Sequence, residues 1–237
     1  MWPMSSSKIF SAAEACRSIA DGATVLVGGF GQPGTPNRLL RQLLAQGTKQ
    51  LTLVKNDASE PGLGISILIE AGRVAKLIAS HVGLNPLAVA LMHEGRLAIE
   101  VYPQGILAEK IRAGGAGLGG ILTDIGLHLD TDRPAQLVEV AGARYKIEPA
   151  LRGDVALIHA ARADTMGNLV FTKTAGNFNP AMAMAADLVI VETGEIVPAG
   201  AIDPDHVHLP GAFVDRLVLV EKSAADYGVL KHHALQA

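Results

Sequence analysis

Residues 21–36, DGATVLVGGFGQPGTP, constrain this chain more than any other stretch. Residues 24–28 read as a short buried strand, with Val25, Leu26 and Val27 as its apolar run. Gly28, Gly29, Gly31 and Gly34 follow, and without Cβ atoms such a loop adopts positive φ and lets a ligand approach its backbone. Thr35 offers an N-cap oxygen and Pro36 suits a first helical position. Leu39, Leu40, Leu43 and Leu44 give the next helix an apolar face. Strand, bare loop and helix N-terminus together predict a site for an anion such as a phosphate.

Two readings compete for this loop. Gly29, Gly31 and Gly34 satisfy G-x-G-x-x-G with Asp57 23 residues beyond, which suggests a dinucleotide site in an NAD-dependent oxidoreductase. The prolines oppose it. Pro33 disfavours helical geometry at Gln32, so the helix starts after Gly34 rather than carrying it in an opening turn.

Around this unit, apolar runs at residues 51–55, 74–80, 97–101, 154–159, 188–192 and 217–221 read as strands. Residues 136–140 and 144–147, around Ala141-Gly142-Ala143, read as an antiparallel hairpin. Ser11 and Glu14 form a capping box before the stripe Ala12, Ala15, Cys16 and Ile19. Pro103 starts a helix that turns Leu107 and Ile111 inward, with Lys110 and Arg112 in its last turn before Gly114-Gly115 ends it. Alternating strands and helices predict a doubly wound α/β fold: a mostly parallel sheet with helices on both faces, and a small hairpin insertion. Residues 1–237 contain no clear linker and are read as one domain.

Composition excludes several functions. Net charge is −3, from 20 basic and 23 acidic residues, so nothing favours a nucleic acid backbone. Aromatic residues make up 4%, too few for base-stacking platforms. The lone Cys16 precludes an intrachain disulfide, fits a reducing compartment, and sits on an apolar face as a core residue. MWPMSSSKIF lacks the pattern of a signal peptide, and no apolar run reaches membrane-spanning length, so a cytoplasmic location is expected. His206 and His208 lack a third ligand at recognisable spacing, so no metal is expected.

The pattern D-G-x-x-V-L-V-G-G-F-x-x-x-G-x-P resembles the signature of family I coenzyme A transferases, in the alpha subunit of 3-oxoacid and acetate–acetoacetate enzymes. Similar segments continue in order: Ser80-His81-Val82-Gly83 through Asn85-Pro86, Pro103-Gln104-Gly105, Gly114-Gly115-Ala116-Gly117, Gly167-Asn168-Leu169, Asn177-Phe178-Asn179-Pro180 and Pro210-Gly211. The resemblance implies that Gly28, Gly29, Phe30, Gly31, Gln32, Pro33 and Gly34 form the segment associated with coenzyme A, a substrate rather than a resident cofactor. It implies that Gln104 supports an oxyanion, and that Asn56, His81 and Asn85 line the acyl pocket. The family's nucleophilic glutamate lies in the beta subunit, in a serine-glutamate-asparagine-glycine type motif absent here. A beta partner in an α2β2 assembly is therefore implied, acting on acyl-CoA and carboxylate substrates of the acetoacetate, acetate, butyrate and succinate class.

Glu192-Thr193-Gly194 is only superficially similar to that motif, and Glu60, Glu70, Glu94 and Glu109 read as surface or capping charges. Two segments depart from the family pattern. Thr123-Asp124-Ile125-Gly126 replaces threonine-proline-threonine-glycine, and Gly176 stands where an arginine is common. These departures keep open a noncatalytic acyl-CoA-binding subunit, beside the oxidoreductase and, on fold analogy, a sugar-phosphate isomerase.

Overall fold

The structure is a computed structural model, and it describes residues 7–127 and 136–220. In chain order the elements are α1 (Ala12–Cys16), β1 (Thr24–Val27), α2 (Asn37–Gln46), β2 (Leu51–Val54), α3 (Ser66–Glu70), β3 (Val74–Ala79), α4 (Pro86–His93), β4 (Ala98–Val101) and α5 (Gln104–Gly115). They continue as β5 (Gly120–Thr123), β6 (Gln136–Val140), β7 (Ala143–Pro149), β8 (Gly153–Ala160), β9 (Arg162–Asp164), β10 (Leu169–Val170), α6 (Asn179–Met184), β11 (Ala186–Thr193), β12 (Ile196–Val197) and β13 (Arg216–Leu219).

Seven strands form one sheet in the order β13-β11-β8-β1-β2-β3-β4, and every neighbouring pair runs parallel. Burial on both faces explains the apolar runs. Val25, Val27, Leu51, Leu53 and Leu77 pack with Leu39, Leu68 and Ala88 on one side. Leu26, Val54, Ile78 and Ile158 pack with Leu107, Ile111 and Met182 on the other. Alternate residues of a strand point to opposite faces, so two cores share each strand. The doubly wound reading therefore holds. From β1 the order runs outward in both directions, so the carboxyl ends of β1 and β8 flank a topological switch point.

Two smaller sheets flank this core. β6 and β7 form the expected antiparallel hairpin, and β5 joins it through β7. A second, of β10, β9 and β12, was not legible from strands only two or three residues long. The final expected strand stops at Leu219, and Glu221 lies outside the described residues.

Local signals hold at α1. Ser11 N donates to Glu14 Oε2 at 3.0 Å, and Glu14 N donates to Ser11 Oγ at 3.3 Å, completing the capping box. Cys16 is fully buried, and burial pushes its thiol up to about 12, as suits a packing residue.

Two expectations need correction. The helix after Pro103 does not end before Gly114-Gly115 but contains them, because Gly114 packs against the Leu151 carbonyl and Gly115 against Met184. Lys110 consequently sits inside the helix rather than in its last turn. Its amine lies 3.0 Å from Glu148 Oε2 on β7 and 4.7 Å from the Tyr102 ring centre. It is a buried link between α5 and the antiparallel sheet, not a surface charge on a helix dipole.

Glu148 receives Lys146 as well, at 2.9 Å. Burial pushes its carboxyl up, but the hydrogen bonds and charges of Lys146 and Lys110 outweigh that and hold it below the ordinary carboxylate value. The unfolded chain then binds the proton more tightly. The group contributes stability above about pH 4, and that contribution is lost as pH falls through the folded value. Replacing Glu148 with Gln is expected to lower the urea midpoint at pH 7 and flatten its decline between about pH 5 and 3. Acid limbs parallel to those of the unmutated chain would contradict this.

Candidate active site

Three parallel strands deliver their carboxyl ends to one edge. β2 is followed by Lys55-Asn56-Asp57, β3 by Ser80-His81, and β4 by Tyr102-Pro103-Gln104. Ser80 N donates to the Asn56 carbonyl at 2.9 Å and Ala58 N to the His81 carbonyl at 3.1 Å, carrying the β2–β3 ladder beyond the strands. The glycine loop after β1 lies over this edge. Between them is a cleft of about 470 Å³, lined by Phe30, Gly31, Gln32, Pro33, Asn56, Asp57, Ser59, Glu60, Ser80, His81, Leu84 and Gln104. Residues 20 to 74 positions before Gln104 in the chain thus line one cleft with it, and Gln104 Nε2 donates to Asn56 Oδ1 at 2.7 Å.

The loop is clamped from both sides. Lys55 is fully buried beneath it, with Nζ 3.2 Å from the Gly31 carbonyl, 3.4 Å from that of Gly29 and 3.2 Å from Asp57 Oδ1. Asp57 Oδ2 accepts from Gly31 N at 2.8 Å and from Asn56 Nδ2 at 3.2 Å, while Oδ1 accepts from Ser59 N at 2.9 Å. Burial pushes the Asp57 carboxyl up, yet Lys55 and these three donors hold it below its usual value. Burial lowers the Lys55 amine against the opposing pull of Asp57.

On the opposite side, Asn177 Oδ1 accepts from Gly29 N at 3.2 Å and its Nδ2 donates to the Pro33 carbonyl at 2.9 Å. Asn179, fully buried at the start of α6, donates from Nδ2 to the Gly34 carbonyl at 3.1 Å. A Cβ on Gly28 would stand 1.8 Å from Asn179 Oδ1, and one on Gly29 would stand 2.1 Å from Thr35 Oγ1. Close packing of backbone on side chain is what these two glycines permit.

The anion cradle read from bare amides takes a different form. The amide hydrogens of Gly28, Gly29, Phe30 and Gly31 donate within the chain, to Leu157, Asn177, Pro33 and Asp57. Thr35 is not the N-cap either. Its hydroxyl donates to the Gly31 carbonyl at 2.6 Å, and Pro36, which has no side-chain oxygen, occupies the cap position. The helix N-terminus is served instead by Glu192 at the end of β11, whose Oε2 accepts from Leu39 N at 3.0 Å. Glu192 is fully buried and its Oε1 lies 3.2 Å from His159 Nδ1. The anion at this helix N-terminus is the chain's own carboxylate, placed where the helix dipole favours it. With that amide taken and Gly34 three residues ahead of α2, the arrangement is not that of a dinucleotide pyrophosphate site.

Of the other expected residues, Gln104 is exposed at the first position of α5 and His81 is exposed beside it on the cleft. Gln32 is buried in the wall, its Oε1 accepting from Asn37 Nδ2 at 3.2 Å. Asn85 does not reach the cleft. It is fully buried, caps α4 by accepting from Ala88 N at 3.0 Å, and donates to Ser66 Oγ at 3.0 Å and the Ala58 carbonyl at 3.1 Å. Its short amide completes a helix terminus that would otherwise hold an unmet donor. His206 lies 3.4 Å from Asp203, and His208 Nδ1 accepts from Phe171 N at 2.9 Å. Among the described residues no three histidine, cysteine or acidic side chains gather to hold a metal, and no helix is long and apolar enough to cross a membrane.

Lys55 is the residue that sequence reasoning missed, having taken it as a strand terminus. A lysine ending a buried run with an aspartate two positions later was the available signal, since residues i and i+2 share a face of an extended chain. Asn177 and Asn179 stood in a segment that resembles the family, but their clamp on the loop had no local signal, because their partners there lie more than 140 positions away.

With this geometry the chain belongs to the coenzyme A transferase family, whose sequence profile matches residues 9–220. It is 44% identical over 216 residues to the alpha subunit of the acetate CoA-transferase of Escherichia coli strain K12, covering 91% of this chain and 98% of that one. It is 48% identical over 201 residues to the A-type subunit of the succinyl-CoA:3-ketoacid coenzyme A transferase of Xanthomonas campestris pv. campestris strain B100, covering 85% and 83%. Among solved structures it superimposes on an acyl-CoA transferase of E. coli O157:H7, in a thioester complex with CoA, with a TM-score of 0.82 and 25% identity. That match covers 94% of this chain and 49% of the other, so this chain spans about half the length of that enzyme. The decarboxylase AibA/AibB, solved as a cysteine-to-serine variant, matches with a TM-score of 0.77 at 29% identity over 96% of this chain and 88% of its own.

Replacing Gly28 with Ala is expected to lower stability by about 2–3 kcal/mol, since the added methyl overlaps the buried Asn179 amide. A urea midpoint within error of the unmutated chain would show that α6 yields freely.

Proposed function

We propose that this chain is the alpha subunit of a heteromeric coenzyme A transferase, exchanging coenzyme A between a short-chain acyl-CoA and a carboxylic acid. Acetoacetate, acetate, butyrate and succinate define the substrate class. The observation that carries the reading is Gln104: an exposed side-chain amide at the carboxyl edge of a parallel sheet, on a cleft partly walled by Phe30, Pro33 and Leu84. Near-full-length similarity to proteins named as alpha or A-type subunits supports the heteromeric assignment.

The partner's glutamate carboxylate attacks the thioester carbonyl carbon, and the C–S bond breaks to release coenzyme A thiolate and leave a mixed anhydride. The thiolate attacks the glutamyl carbonyl, expelling the first carboxylate and forming an enzyme–CoA thioester. The incoming acid runs these steps in reverse. Negative charge grows on a former carbonyl oxygen at each addition. Gln104 Nε2 carries two hydrogens, one directed to Asn56 Oδ1, and the other is its donor to that oxygen. His81, on the same wall, is read as the donor to a substrate carboxylate. Phe30 through Pro33 form the wall beside coenzyme A, while Gly28, Gly29 and Gly34 support that wall through packing. The assembly is read as α2β2, formed from single-domain alpha chains in the cytoplasm, with coenzyme A as a substrate rather than a resident cofactor.

Asp57 is engaged by Lys55, and Glu60 is the other carboxylate lining the cleft. In the complex with its partner, Gln104→Ala is expected to lower kcat by about 100-fold, as loss of one oxyanion donor does, with assembly intact by gel filtration. Glu60→Gln should keep most of the exchange activity, and the chain purified alone should have none. Robust exchange by the isolated chain, abolished by Glu60→Gln, would place the nucleophile here and overturn the reading.

A further inference from the structure

The amides at the cleft form a chain whose polarity is set from its buried end. Asp57, ionised beside Lys55, only accepts hydrogen bonds. Asn56 therefore turns Nδ2 towards it, at 3.2 Å from Oδ2, and its Oδ1 faces the other way. That oxygen, also only an acceptor, has Ser80 Oγ at 2.8 Å and Gln104 Nε2 at 2.7 Å. Were the Gln104 amide reversed, its Oε1 would stand against Asn56 Oδ1 with no hydrogen between two oxygens.

Terminal amides rotate broadly when nothing holds them, and Gln104 is exposed. A free Gln104 would spend time with its carbonyl where its amino group belongs, and a carbonyl there repels an oxyanion. We infer that Asn56 and Asp57 are positioning residues that lock the Gln104 amide in its donating orientation, rather than contacts to the substrate. The inference rests on the oxyanion role of Gln104. It reassigns Asn56 from a side chain that touches the acyl group to one that acts through its neighbour. Preorganisation is its physical content: the donor is oriented before charge develops, so no rotation is needed as the tetrahedral centre forms.

A double-mutant cycle in the complex with the partner chain tests it, reading kcat and KM for acyl exchange. Asn56→Ala in the otherwise native complex is expected to lower kcat about tenfold with KM changed less than twofold. In a Gln104→Ala background the same substitution should change kcat less than twofold, because no amide is left to orient. Equal losses in both backgrounds, or a loss that falls mainly on KM, would overturn the inference and make Asn56 an independent substrate contact. An undiminished rate for Gln104→Ala alone would instead remove the oxyanion role on which it rests, so the two failures are told apart. Asn56→Ser supplies the same cycle if Asn56→Ala does not assemble: its hydroxyl offers a donor beside Asp57, but it is too short to span to Gln104.

Discussion

The buried pair Lys55–Asp57 is the interaction on which the rest of this edge depends. It joins the end of β2 to the glycine loop after β1 through two carbonyls and one amide, and it sets the direction of the Asn56 amide beside it. Buried ion pairs add little net stability, because desolvation offsets much of their attraction. What this pair contributes is geometry. Removing either partner would leave a bare charge under the loop, at a penalty of about 3–5 kcal/mol.

A parallel sheet explains why the groups meet. Because β2, β3 and β4 run in one direction, their carboxyl ends share an edge, and each exits through a polar residue: Asn56, Ser80 or Gln104. The edge supplies donors and an apolar wall, and its Asp57 carboxylate is held by Lys55, which suits half of an active site shared between chains. The fold alone would not say so, since a decarboxylase shares it.

Much of this was legible beforehand. The seven-stranded core could be read because its strands are mostly apolar runs of four or more residues, buried on both faces at the centre of the sheet, and the capping box at Ser11 is local chemistry. The place of Gln104 at the sheet edge was legible because Pro103 marks a strand-to-helix junction. The short strands β9, β10 and β12 were not legible, having too few residues for a period to register. Thr35 misled because capping chemistry was weighed locally, whereas the α2 amide found its acceptor in Glu192, 153 positions away.

Sequence by itself determined the layered architecture, the order of its strands along the chain, the family resemblance and the amide at Gln104, because each depends on periodicity or on residues close together in the chain. Tertiary structure alone decided what the glycine loop does. Its amides face Asp57 and Asn177 and its helix N-terminus faces Glu192, so an apparent anion site is occupied from within. Hydrogen-bond donors take whichever acceptor the fold brings within about 3 Å. Which acceptor that is depends on strand order in space, and no local pattern encodes it.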